Sequence, residues 1–142
     1  MSPHVLRIGI LGAVVLVACA VELARRSVNG RLRAVGTARR ITEVDLGGPL
    51  GEHATLLQVS SSTCTTCRAV RRVLGEAAEA SPGVRHVELD AEEHLELVRA
   101  WDILRTPTVF VLDGAGAVVC RSSGQITPAK VREALARVPT PN

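Results

Sequence analysis

Cys64-Thr65-Thr66-Cys67 places two thiols three residues apart. On one helical turn such a pair is close enough to close a disulfide. The thiolate is both the nucleophile of disulfide exchange and a ligand for soft metals. The pair follows an apolar run of strand length, Ala54–Ser60, and a polar stretch, Ser60–Thr63, rich in residues that begin helices. The first turn of a helix carries unpaired N–H groups and partial positive charge, and both favour a thiolate. Cys64, at the helix tip, is therefore expected to attack, and Cys67, one turn inward, to resolve the mixed disulfide. Arg68 adds a nearby cation.

The remaining chemistry-bearing residues are weaker signals. A C-x-x-C can be half of a zinc site, but the second half is missing. Cys120 is single, and His53, His86 and His94 have no ligand spacing. Binding of Cu(I) to the two thiolates remains an alternative. Cys120 reads as a buried strand residue or a redox-sensitive extra thiol. Trp101 reads as a packing residue. The cluster Glu92, Glu93, His94 and Glu96 reads as a solvated helix start.

The elements that must position the pair can be traced along the chain. After Cys67, Val70, Val73, Leu74, Ala77 and Ala78 recur at helical spacing, with Arg71, Arg72, Glu76 and Glu79 opposite, until Ser81-Pro82-Gly83 stops the helix. Val84–Leu89 reads as a second strand. Glu92–Leu104 reads as a second helix with Leu97, Trp101 and Leu104 on one side. Thr108–Leu112 and Ala117–Arg121 form a hairpin about Asp113-Gly114-Ala115-Gly116. Thr127 is the expected N-cap of a last helix, with Pro128 at its first position and Ile126 and Val131 as a hydrophobic staple. Ile41–Leu46 is a candidate edge strand. The order predicts an α/β fold, a mixed central sheet flanked by helices.

Ahead of this domain, Val5–Leu23 is apolar except for Arg7 and Glu22. Nineteen helical residues span roughly 28 Å, close to the hydrocarbon thickness of a bilayer. Residues 1–23 are therefore read as a transmembrane anchor, 24–40 as a basic juxtamembrane linker and 41–142 as the folded domain. A cleaved signal peptide is one alternative. A lipoprotein signal ending Leu16-Val17-Ala18-Cys19, with lipid on Cys19, is another. Seven arginines lie within residues 1–40 against Glu22 alone, a net charge of +6, and the remainder of the chain carries −3. The positive-inside rule favours a single-pass protein with its domain in the cytoplasm. Disulfide chemistry more often faces outward, so an extracytoplasmic domain stays open. The mildly acidic domain, with one Trp, one Phe and no Tyr, argues against nucleic acid.

The C-x-x-C after a strand, Thr106-Pro107-Thr108 before the next strand and Gly124 after the last one together resemble the thioredoxin superfamily over about residues 50–138. The whole chain looks like the small membrane-anchored bacterial thioredoxins. The resemblance implies a thioredoxin fold and a cis Thr106–Pro107 bond facing the cysteines. It also implies that the backbone of Thr106 pairs with a substrate strand.

The chain departs from that pattern at several places. Thioredoxin has Trp before the first Cys and Gly-Pro between the two, where this chain has Thr63, Thr65 and Thr66. Its buried Asp and the opposing Lys correspond to Gln58 and His86 here. Gln58 cannot take a proton, which leaves His86 as a candidate relay to Cys67. The expected function is thiol–disulfide exchange with disulfide-containing proteins, in the reducing direction, with electrons from a reductase or thiol donor and no organic cofactor. Alternatives are an outward-facing oxidase or isomerase, Cu(I) delivery, and an interaction scaffold.

Overall fold

Along Ala54–Ser60 every residue is buried, so this strand is the spine of the fold. A computed structural model describes residues 3–28, 31–34 and 40–140 of the chain. Its elements run α1 (Pro3–Val28), β1 (Arg33–Ala34), α2 (Glu43–Leu46), β2 (Ala54–Ser60), α3 (Cys67–Glu79), β3 (Val84–Asp90), α4 (Leu95–Ala100), β4 (Thr108–Asp113), β5 (Val118–Ser123) and α5 (Pro128–Ala136). The sheet order is β1-β5-β4-β2-β3. The β2–β3 pair is parallel, with α3 as its crossover, and the β1–β5, β5–β4 and β4–β2 pairs are antiparallel.

Strand alternation divides the core between the two faces of the sheet. Leu56, Val109, Val111 and Cys120 face one layer with Val70 and Leu74 of α3 and Val131 and Ala134 of α5. Leu57, Val59, Phe110 and Leu112 face the other, with Ile41, Leu46, Trp101 and Ile103. Two aromatics suffice because Trp101 and Phe110 meet edge to face, their centroids 5.7 Å apart. At the start of α5, Thr127 accepts from the Lys130 N–H at 3.4 Å, and Ile126 and Val131 are both buried in one cluster.

Two expectations are corrected. Ile41–Leu46 is not an edge strand. Thr42 and Asp45 close a capping box, the Asp45 N–H donating to Thr42 Oγ1 at 3.3 Å and the Thr42 N–H to Asp45 Oδ2 at 2.8 Å. Local capping outweighs strand propensity in so short a segment. The edge position is taken instead by Arg33–Ala34, from the stretch read as linker, which pairs with Arg121 and Cys120 and covers the outer edge of β5. Linker residues 29–30 and 35–39 lie outside the described residues.

The expected helix Glu92–Leu104 shrinks to Leu95–Ala100. At its start the Asp90 carboxylate accepts from the Glu92 N–H at 2.8 Å and holds a turn. At its end Asp102 adopts φ 48° and Arg121 donates to the carbonyls of Trp101 (2.9 Å) and Asp102 (2.7 Å). Leu104, expected on the apolar side, is 92% exposed. Finally, α1 continues past Leu23 to Val28, so its last turn uses residues read as linker. Its stretch Arg7–Arg25 is long and apolar enough to cross a membrane, and none of it is buried against the domain.

Candidate active site

The site forms where β2 hands over to α3. Cys64 and Cys67 are joined as a disulfide, with Cα atoms 5.5 Å apart. Cys64 is half-buried at the tip, and Cys67, the first residue of α3, is 3% exposed. Only one sulfur is therefore accessible to a partner. The Cys64 N–H donates to the Ser61 carbonyl at 3.1 Å. The N–H of Cys67 donates to Cys64 Sγ at 3.1 Å. Thr66, at the N-cap of α3, makes no side-chain cap bond, and the Cys64 sulfur meets the first N–H of the helix, one of the donors that an opening turn leaves unpaired. A donor aimed at this sulfur stabilises negative charge on it when the disulfide opens. Arg68 is exposed one residue further on.

The Thr106–Pro107 peptide is cis and Pro107 is buried. This loop is tied to the cysteine loop by a hydroxyl contact of 2.9 Å between Ser61 Oγ and Thr106 Oγ1. It is tied to the end of β5 by the Gly124 N–H, which donates to the Pro107 carbonyl at 2.8 Å. Gly124 holds φ 84°, a conformation that glycine adopts without strain. Thr108 Oγ1 donates to the Arg105 carbonyl at 2.7 Å and closes the loop from the other side. Cys64, Cys67, Thr106 and Pro107 are thereby brought to one end of the sheet.

Beneath the disulfide lies a polar network that sequence reasoning found only in part. The Gln58 side-chain N–H₂ reaches the Cys67 carbonyl at 3.0 Å, Ser60 Oγ at 2.8 Å and Glu88 Oε1 at 3.2 Å. Among the described residues Gln58 Oε1 is buried without a partner. Glu88 also accepts from the Ser60 hydroxyl and is paired with the Arg71 guanidinium, whose Nη2 lies 2.8 Å from Oε1. Burial alone would raise the Glu88 pKa. The Arg71 and Ser60 hydrogen bonds, with the charges of Arg71 and His86, outweigh it and hold the carboxyl below its ordinary value. The same pairing raises Arg71.

The residue opposite Gln58 in the β2–β3 register is Glu88, and His86 stands opposite Leu56. Among the described residues no hydrogen bond joins His86 to either cysteine, and its Nε2 is buried without a partner. Burial is the main cause that lowers its pKa, against the opposing charge of Glu88. The sequence signal for Glu88 was its place in a strand two residues past His86, which could not be read without the register.

A cleft of about 430 Å³ opens beside the pair, lined by Ser60, Ser62, Arg68, Glu88, Glu93 and His94 along with the cysteines. Among the described residues no group of three or more His, Cys, Asp or Glu side chains is placed to hold a metal. Cys120 is buried on β5, and Cys19 is exposed on α1. Neither lies with the pair.

No family model matches the sequence, and no curated protein matches it. Solved structures do match. Mitochondrial thioredoxin 3 of Saccharomyces cerevisiae, in its oxidised form, superposes with a TM-score of 0.54 at 17% identity, over 61% of this chain and 80% of that one. Fasciola hepatica thioredoxin gives 0.54 at 21% identity, over 63% and 84%. The short form of spinach chloroplast thioredoxin f gives 0.53 at 25% identity, over 61% and 76%. The chain is a thioredoxin-fold protein, with a C-x-x-C disulfide at the head of the helix that follows its central strand and an apolar helix of membrane length ahead of the fold.

Proposed function

We propose that the chain is a membrane-anchored thiol–disulfide oxidoreductase that works through Cys64 and Cys67. The observation that carries this reading is the asymmetry of the pair. Cys64 sulfur is accessible and receives the Cys67 N–H, whereas Cys67 sulfur is buried behind it. In the reducing direction, the Cys64 thiolate attacks one sulfur of a partner disulfide, which leaves as a thiolate, and a mixed disulfide forms. The Cys67 thiolate then attacks Cys64 Sγ, and the second partner sulfur leaves. Two electrons pass to the partner, whose two thiolates take up the protons lost by the cysteines. A thiol donor or reductase restores the dithiol.

Thr106 is the candidate docking point for the partner backbone. No backbone hydrogen bond engages it among the described residues, while Ser61 and Gly124 hold its loop beside Cys64. An extended segment could add there as a strand.

The exposed apolar surface of α1, carried by Ile8, Leu11, Leu16 and Leu23 among others, is suited to lipid. The basic flank after it supports a cytoplasmic domain. The reduction potential of the Cys64–Cys67 pair in the full chain tests the direction. A value near about −270 mV supports a reductant, and one near about −120 mV makes the protein an oxidant and argues for an outward-facing domain.

A further inference from the structure

Strand directions fix which end of the domain the anchor reaches. β2 runs toward the cysteines, since Ser60 at its end leads to Cys64. β4 runs the other way and begins at Thr108, next to the cis peptide. β5 runs back toward that end, finishing at Ser123, and β1 is antiparallel to β5. The chain therefore enters β1 from the end of the sheet that carries Cys64, Cys67 and Pro107.

The path from α1 to that point is short. Five residue steps separate Val28 from Arg33, a reach of at most about 18 Å. β1 lies three strand spacings from β2, roughly 14 Å. Arg33 pairs with Arg121, which pairs with Phe110, which pairs with Leu57, so β1 begins level with the middle of β2, and the residues before it, Arg31 and Leu32, lead up toward the end that carries the cysteines. The direction of entry into β1 makes the reactive end the membrane-proximal one. It also carries Leu104, 92% exposed two residues before Thr106, and the exposed cations Arg31 and Arg68. An exposed leucine beside the cis peptide gains nothing from water and suits an apolar or interfacial partner.

We infer that the tether turns the Cys64–Cys67 pair toward the bilayer, and that its partners are integral membrane proteins whose disulfide lies at the membrane surface on the same side. This rests on the proposed exchange activity and on α1 acting as an anchor. The exchange is the one given above: one reduced chain passes two electrons to one partner disulfide, leaving Cys64 and Cys67 oxidised and the partner as two thiols. A soluble protein, or a disulfide held far from the lipid, meets a reactive end that is partly screened by the bilayer.

The test is a single turnover with the full chain, reduced with dithiothreitol, freed of it and reconstituted in phosphatidylcholine–phosphatidylglycerol vesicles. The partners are two single-pass peptides in the same vesicles. One has a disulfide loop at the headgroup boundary. The other carries the same loop on a Gly/Ser stalk of about 60 residues, roughly 40 Å away on average. A soluble disulfide peptide given to the detergent-solubilised chain reports the exchange activity alone.

The inference expects the near loop to be reduced at least about tenfold faster than the far one, through effective concentration. A Gly/Ser insertion of about 20 residues after Gly30, which adds roughly 25 Å of reach, should bring the two rates together while turnover of the soluble peptide stays as it was. Equal rates for near and far loops in the native chain, with the soluble peptide still reduced, overturn the inference and leave the exchange activity standing. A chain that does not float with the vesicles overturns it through the anchor. Failure to reduce the soluble peptide overturns the proposed function itself.

Discussion

The side-chain amide of Gln58 donates to the backbone carbonyl of Cys67 at 3.0 Å, and through the same nitrogen it reaches Ser60 and Glu88. A neutral amide thus stands under Cys67, and the carboxylate it reaches on the neighbouring strand is already paired with Arg71. Positioning and protonation are separated: Gln58 holds the first turn of α3, and Glu88 supplies the field.

Truncation of Gln58 should therefore be felt in the fold. Gln58→Ala leaves the Ser60 hydroxyl and the Glu88 carboxylate short of a partner and opens space in a buried layer. A loss of about 1–3 kcal/mol is expected, read from the denaturant midpoint of the oxidised protein. Gln58→Glu should instead bring two carboxylates together and make disulfide reduction steeper with pH, since one of them can then take a proton near Cys67.

Glu88 gives an acid-side signature. Its folded carboxyl titrates below the unfolded one, so its contribution to stability is fully present above the ordinary carboxylate value of about 4.3 and is lost as pH falls through the lower folded value. In Glu88→Gln that part of the acid destabilisation should disappear. Melting temperatures between pH 5 and pH 2.5 (about this range brackets the carboxylate values) check it, and an unchanged acid limb would contradict the pairing with Arg71.

His86 acts in a different window. Its folded value is also lowered, but here the neutral form is the one the fold prefers. The unfolded chain takes up a proton first, so stability falls as pH drops below about 6.5 and continues to fall until the folded ring protonates. His86→Gln should flatten that fall. Its rate of disulfide reduction should follow the wild-type pH profile between about 6 and 8, because no hydrogen bond links the ring to either cysteine. A profile displaced from wild type would restore His86 as a relay.

Cys120 should be chemically silent. Burial pushes its thiol up to about 11, and the nearby Arg137 offsets this only partly. In the reduced protein at neutral pH, iodoacetamide should alkylate Cys64 well before Cys120, as peptide mass mapping would show. Equal labelling would mean that β5 opens readily at its edge, where β1 covers it.

Arg121 should matter more than a surface arginine. It holds the carbonyls of Trp101 and Asp102 and lies 5.1 Å from the centroid of Phe110. Arg121→Met removes the carbonyl bonds but keeps a similar stem. The expected cost is about 1–3 kcal/mol, with greater hydrogen exchange at Ile103–Thr106, the segment that leads into the cis peptide.

Local patterns carried much of the fold into view. Ala54–Ser60 is bounded by His53 and a run of serines, and the spacing of Val70, Val73 and Leu74 admits only a helix, so β2 and α3 fall where their residues place them. The disulfide pair was legible because its two cysteines and their helix are contiguous. Glu88 was not. Val84-Arg85-His86-Val87-Glu88-Leu89 alternates, but nothing local says which carboxylate or imidazole faces Gln58, thirty residues away, and only the register decides it. The same holds for β1. Two residues have no periodicity, and their role depends on the open edge of a strand that lies nearly ninety residues later.

The N-cap of α3 has a further meaning. The Cys67 N–H is met by the sulfur of Cys64, the hydroxyl of Thr66 makes no cap bond, and Thr65 is exposed. The side chains of the two residues between the cysteines therefore hold no part of the helix start, to which Thr66 gives only its backbone carbonyl, the acceptor for the Ala69 and Val70 N–H groups. Substitution at 65 or 66 should therefore leave the helix starting where it does, which separates the chemical surroundings of the disulfide from the architecture that holds it.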